Sequence, residues 1–86
     1  MSKVVMYTTG FCPFCIRAKR LLDRKQVQYQ EIRVDKERAM REEMMQRSER
    51  RTVPQIFIGE QHVGGFDDLS LLDVNGELDD LLAGAA

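Results

Sequence analysis

The stretch from Lys3 to Lys25 constrains the fold more than any other part of the chain. An apolar, β-branched run, Lys3 to Thr8, has the composition of a buried strand and is broken at Gly10. From Pro13 to about Gln26 the pattern turns helical. Cys15, Ala18 and Leu22 share one face with Leu21 beside it, and Arg17, Lys19, Arg20, Asp23 and Arg24 take the remainder. Proline suits the first helical position because its missing N–H would have no intrahelical partner there. Cys12 therefore falls at the N-cap or just before it. A strand that feeds a helix and then a second strand of the same sheet returns by a right-handed crossover, so this βαβ unit is expected to be parallel.

The later segments complete the pattern. Val27 to Val34 alternates as a second strand, and Asp35 is the expected N-cap of a helix from Lys36 to about Ser48 with Ala39, Met40 and Met44 inward. Pro54 to Ile58 forms a strand, Gly59-Glu60 a short turn, and Gln61 to Gly64 the returning strand of an antiparallel hairpin. A helix over Asp67 to Asp73, capped by Asp67 or Asp68, stops at Asn75-Gly76; Glu77 to Leu82 adds a short last helix, and Ala83 to Ala86 should fray. The expected order is β-α-β-α-β-β-α plus the short helix, an α/β fold in a single domain over residues 1–86. It has one four-stranded mixed sheet with helices on both faces. Chemistry in such sheets sits at the carboxyl end of a strand where a helix begins, which is the place of Cys12.

Composition excludes several classes. A formal net charge of −1 lacks the basic footprint of a nucleic-acid binder, and the arginines of "KERAMREEMMQRSERR" alternate with Glu37, Glu42, Glu43 and Glu49 as on a solvated helix face. The opening "MSKVVMY" has no run long enough for a signal peptide, and no segment is long enough to span a membrane, so a cytoplasmic protein is expected. Thiols in that compartment are kept reduced, and paired cysteines there are more often catalytic or metal-binding than structural.

Cys12 and Cys15 are the only cysteines. As a structural staple the pair would close only a tiny ring, where a cross-link contributes least. A zinc site wants four ligands, and Cys12, Cys15 and the sole histidine, His62, supply three, so no metal is expected. The spacing Cys-X-X-Cys after a strand and at a helix start has a redox mechanism instead. The helix N-terminus favours an anion on the first sulfur, while the second, one turn inside, is more buried and keeps its proton. Attack by Cys12 and resolution by Cys15 follow from that asymmetry.

"CPFC" after "VVMYTTGF", together with "TVPQIFI" and "GGFDDL" at this order and spacing, resembles a dithiol glutaredoxin of the bacterial glutaredoxin 3 type, from about Val4 to Leu82. The resemblance implies a thioredoxin fold with glutathione as co-substrate. It also implies reduction of protein disulfides and protein–glutathione mixed disulfides in cell redox homeostasis and electron transport. Clients would be disulfide-containing or glutathionylated proteins, ribonucleotide reductase being a known type in the family, and the chain would act as a monomer. Position by position, Cys12 is the implied nucleophile and Cys15 the resolving thiol. Pro54 matches the family's cis-proline, which leaves the Val53 backbone free to pair with the cysteinyl part of glutathione. Gly65, Phe66 and Asp67 match the segment for the γ-glutamyl end, where backbone N–H groups meet the carboxylate and Asp67 faces the ammonium. Thr52 borders that groove, and Phe14 shields the ligand or the thiols.

Two positions depart from the family pattern. A lysine common two or three residues before the first cysteine is replaced by Thr9 and Gly10, and a common tyrosine by Phe14. Arg51, just before the Thr52-Val53-Pro54 turn, is the expected substitute for the missing positive charge. His62 is read as a strand residue, Tyr7 and Phe57 as core. Two rival functions carry distinct marks. A redoxin served by thioredoxin reductase would not need the "TVP" and "GGFDDL" groove, and an iron–sulfur carrier bridging two chains through Cys12 is disfavoured by the rigid Pro13.

Overall fold

The computed structural model describes residues 2–84. Its elements are β1 (Val4–Thr8), α1 (Pro13–Arg24), β2 (Gln30–Arg33), α2 (Arg38–Ser48), β3 (Gln55–Ile58), β4 (Gln61–Gly64), α3 (Phe66–Val74) and α4 (Glu77–Leu82). The strands lie in the order β2-β1-β3-β4, with β1 parallel to β2 and antiparallel to β3, and β3 antiparallel to β4. This is the expected four-stranded mixed sheet of a thioredoxin fold.

Strand alternation divides the interior in two. Val4 and Met6 of β1 with Ile56 and Ile58 of β3 point to one face, where Ala18, Leu21 and Leu22 of α1, Leu69 of α3, and Leu78 and Leu82 of α4 cover them. Tyr7 and Phe57 point to the other, where Met44 of α2 and Val34 close a smaller core. Tyr7 packs edge-on to Phe57, and its hydroxyl donates to Glu43 and accepts from Arg47, both at 2.8 Å. A tyrosine with no solvent exposure is thus accommodated by α2 with its polar tip paired.

Several expected boundaries move, each for a local reason. Helix α1 stops at Arg24 because Gln26 turns left-handed (φ 58°), and β2 is shorter than the Val27–Val34 alternation suggests. Asp35 does not cap α2; its carboxylate is taken by Arg33 (2.8 and 2.7 Å) and by the Gly10 N–H (3.0 Å), so the helix starts at Arg38 with Glu37 as a cap that makes no side-chain bond. With that later start, Ala39 is exposed, and Met44 faces inward with Met40 and Met45 packed partly against the same core. Neither Asp67 nor Asp68 is the N-cap of α3; Gly65 is, and Asp68 sits at the third helical position and accepts from the Gly65 N–H at 2.9 Å. That is one half of a capping box. Ala83 and Gly84 follow α4 in a turn, while Ala85 and Ala86 lie outside the described residues. No helix among the described residues is long and apolar enough to cross a membrane.

Candidate active site

The loop after β1 delivers Cys12 to the N-cap of α1 in an extended conformation (φ −142°, ψ 101°), with Pro13 at the first helical position. A helix start leaves N–H groups without intrahelical partners. One of them, the Cys15 N–H, donates to Cys12 Sγ at 3.1 Å, a donor aimed at the sulfur as suits a thiolate. In the thiol form Cys12 donates in turn to the Val53 carbonyl at 3.6 Å. Both cysteines are free, and Cys15 is the more deeply placed, at 1% exposure against 7% for Cys12. Burial pushes the Cys15 thiol up to about 12, reinforced by its contact with Cys12 and opposed by the Thr9 backbone and Lys19. At neutral pH Cys15 therefore holds its proton.

Three segments distant in sequence meet around this pair. Strands β1 and β3 are neighbours with Tyr7 opposite Gln55, so the turn preceding β3 lies beside the loop following β1. The Val53–Pro54 peptide bond is cis, as the family resemblance implies. The Gln55 side chain, fully buried, donates to the Thr52 carbonyl (3.0 Å) and hydroxyl (3.3 Å), and its oxygen meets His62 Nε2 at 2.7 Å. Gly65 then brings the start of α3 against this turn, for a Cβ there would sit 3.6 Å from the Pro54 carbonyl. Phe66 closes the circuit, its ring 6.5 Å from that of Phe14. Phe14 is half exposed, and the Arg17 guanidinium lies 5.4 Å from its ring centre.

Most of the residues expected from the sequence thus converge: Cys12, Cys15, Phe14, Thr52, Val53, Pro54, Gly65 and Phe66. Asp67 is exposed in the first turn of α3, and its neighbour Asp68 makes the contacts that sequence reasoning left open. The Gly65 N–H and then Arg50 hold the Asp68 carboxyl below the usual carboxylate range. Arg50, not Arg51, reaches across to α3, pairing with Asp68 at 3.0 Å. His62 is a strand residue as expected, stacked 4.9 Å from Phe57, and burial and then Arg50 keep its ring less basic than usual. Sequence reasoning also missed Gln55, whose position directly after Pro54 was the available signal.

Gly10 lies against the Arg33 guanidinium, 2.5 Å from where a Cβ would stand, and Asp35 holds both. A concavity of about 380 Å³ lies along β2 and the approach to α2 (Glu31, Arg33, Lys36, Met40), not over the thiols. The candidate site is drawn around Cys12 on its donor geometry, the Cys15 N–H directed at its sulfur, and not on concavity. No group of three or more His, Cys, Asp or Glu side chains among the described residues is gathered as a metal site.

Comparison with known proteins agrees with this geometry. The glutaredoxin family model matches residues 4–63. Glutaredoxin 3 of Escherichia coli K12 is 56% identical over 82 residues, covering 95% of this chain and 99% of its own. A glutaredoxin of Pseudomonas aeruginosa is 54% identical over 83 residues, covering 96% of this chain and 99% of its own. Among solved structures, a buckwheat glutaredoxin–glutathione complex superposes with a TM-score of 0.89 at 32% identity, covering 96% of this chain and 78% of that one.

Proposed function

The chain belongs to the glutaredoxin family and is a thiol–disulfide oxidoreductase, and we propose that it works with glutathione as co-substrate. In this reading Cys12 attacks a disulfide of a client protein, or the protein sulfur's partner in a glutathione mixed disulfide. One S–S bond breaks, a new one forms to Cys12 Sγ, and the displaced thiolate takes a proton from solvent. Cys15 then attacks Cys12 Sγ and expels the bound thiol, closing a Cys12–Cys15 disulfide that two glutathiones reduce in turn; where Cys12 carries glutathione, a second glutathione thiolate instead attacks the glutathionyl sulfur and expels Cys12 as the thiolate. Either route leaves oxidised glutathione.

The observation that carries the reading is the Cys15 N–H directed at Cys12 Sγ at a helix start, opposite the Val53 carbonyl. The groove expected to hold glutathione is built on Thr52, Val53 and Pro54 for the cysteinyl part, and on Gly65, Phe66 and Asp67 for the γ-glutamyl end, with Phe14 as cover. Support comes from the exposed Asp67 carboxylate, which is free to face an ammonium, and from the glutathione bound by the buckwheat relative. The site asymmetry also explains why resolution waits for attack. Part of what keeps Cys15 protonated is Cys12 itself, and that part vanishes once Cys12 is in a neutral mixed disulfide. A cytoplasmic monomer with disulfide-bearing or glutathionylated clients, ribonucleotide reductase among them, fits the family.

Coupled turnover with glutathione, glutathione reductase and NADPH tests the reading. Cys12→Ser should be inactive on every substrate. Cys15→Ser should keep its action on glutathione mixed disulfides, where glutathione replaces the resolving thiol, and lose most of its action on protein disulfides. Substantial turnover by Cys12→Ser, or no glutathione dependence in the unmodified protein, overturns it.

A further inference from the structure

Cys15 and Lys19 stand one helical turn apart on α1, a spacing that brings their Cβ atoms within about 6 Å. The Lys19 ammonium is not left to solvent. It pairs with the Glu31 carboxylate of β2 at 2.5 Å, and that carboxylate also accepts from the Thr8 hydroxyl at 2.6 Å. Thr8 is fully buried at the carboxyl end of β1 and points to the α1 side of the sheet with Val4 and Met6. Glu31 lies opposite Met6 in the β1–β2 register, so it rises on that same side. The Lys19 and Glu31 side chains are each under one-third exposed. Burial pushes the Glu31 carboxyl up, but its bonds from Lys19 and Thr8 bring it below its usual value, so it is charged at neutral pH.

The result is a cation held through two strands, one helical turn beyond Cys15, a thiol that resists ionisation. The groups that oppose ionisation of Cys15 are burial and Cys12; those that favour it are the Thr9 backbone and Lys19, the only side chain among them. Arg33 adds to the charges that favour the Glu31 carboxylate.

We propose that Lys19, held in place by Glu31 and Thr8, is a positioning residue for the second half-reaction, supporting negative charge on Cys15 when that thiol attacks the mixed disulfide. In that step Cys15 gives its proton to solvent. Its sulfur forms a bond to Cys12 Sγ as the bond from Cys12 Sγ to the substrate sulfur breaks. The leaving thiolate departs with the electron pair and is protonated by solvent, so the cysteine pair is oxidised and the substrate thiol reduced. The proposal rests on the reading of Cys15 as the resolving thiol.

The test is a rapid-mixing experiment on the full chain. Reduced protein is mixed with a small glutathione mixed disulfide, quenched in acid, and followed by mass for the Cys12–glutathione adduct and the closed Cys12–Cys15 disulfide. The closure rate is divided by the rate at which iodoacetamide alkylates Cys12 in the same variant, which corrects for damage to the site at large. At pH 7 and low salt, Lys19→Met should lower this ratio about fivefold, the upper end for a partly exposed charge pair. The deficit should shrink as salt rises, because a partly exposed charge is screened, and Lys19→Arg should recover the ratio to within about twofold. A Lys19→Met ratio equal to that of the unmodified protein overturns the proposal. So does equal slowing by Lys19→Met and Lys19→Arg, which would assign Lys19 to packing. Failure of the unmodified protein to close at all would refute the resolving role of Cys15, and the proposal with it.

Discussion

Gly64, the last residue of β4, offers a sharp test of how the start of α3 is built. Its φ of +117° lies where L side chains are rarely found, and an ideal Cβ there falls on the Asp68 carboxylate, 2.8 Å from Cγ and 3.0 Å from the Arg50 guanidinium. Gly64→Ala therefore has two separable costs. Backbone strain contributes about 2 kcal/mol. Displacing Asp68 removes the hydrogen bond that receives the Gly65 N–H, about 1 kcal/mol for a lost cap. It also removes the Arg50 pair, which adds only about 0.2–0.5 kcal/mol because both side chains are nearly half exposed and screened. The expected loss is about 3 kcal/mol by urea denaturation of the reduced protein at pH 7, or roughly 15 °C in Tm for a domain this size. Asp68→Ala alone should cost about 1–1.5 kcal/mol. The double variant should be close to Gly64→Ala, because the carboxylate is already displaced in the single variant, giving a coupling of about 1 kcal/mol. Strict additivity would show that Asp68 keeps its contacts beside an alanine, and the steric reasoning would fail.

Three further outcomes are expected. Gly10→Ala must push aside the Arg33–Asp35 pair, but a flexible guanidinium can yield, so the cost should be about 1 kcal/mol or less and should disappear in an Arg33→Ala background; chemical denaturation of the four proteins checks it. Because the Cys15 thiol is pushed up to about 12 when folded, its contribution is complete below the ordinary thiol value and is lost as pH rises through the folded one; Cys15→Ser should show a flatter fall in stability between pH 9 and 11 than the unmodified protein. Asp68 has the opposite sign: its depressed value gives stability that is complete above the ordinary carboxylate range and lost as pH falls through the folded value, so Asp68→Asn should unfold with a flatter pH dependence between about pH 5 and 2.

The elements legible in the sequence were those whose periodicity and punctuation act locally. The run into Gly10, Pro13 and the Cys15-Ala18-Leu22 stripe specify β1, α1 and the N-cap thiol without help from the remainder of the chain. What misled was competition between partners. Asp35 has the right residue type and place for a cap, yet Arg33 two residues earlier and the Gly10 N–H across the sheet outbid the helix for its carboxylate. Arg51, expected to bring positive charge to the groove, is exposed, and it is the neighbouring Arg50 that meets Asp68. The buried Gln55 amide that links Thr52 to His62 had only its place after Pro54 to mark it, because its partners lie on another strand and in a turn. The fold class and the thiol pair were read from local pattern; the polar ties around them required the topology.

The sheet order has a consequence for how the site survives thermal motion. Cys12 and Pro54 hang from β1 and β3, the two inner strands, each hydrogen-bonded on both sides, while β2 and β4 form the edges. Local opening begins where neighbours are fewest. Fraying of β2 would loosen Glu31, and fraying of β4 the ground beneath Gly65, yet the ladder from Val4–Ile58 to Tyr7–Gln55 would still hold the sulfur and the proline turn side by side. The spacing between nucleophile and turn is thus set by the part of the molecule that opens last, and an encounter with a bulky client can distort the rim without disassembling the centre.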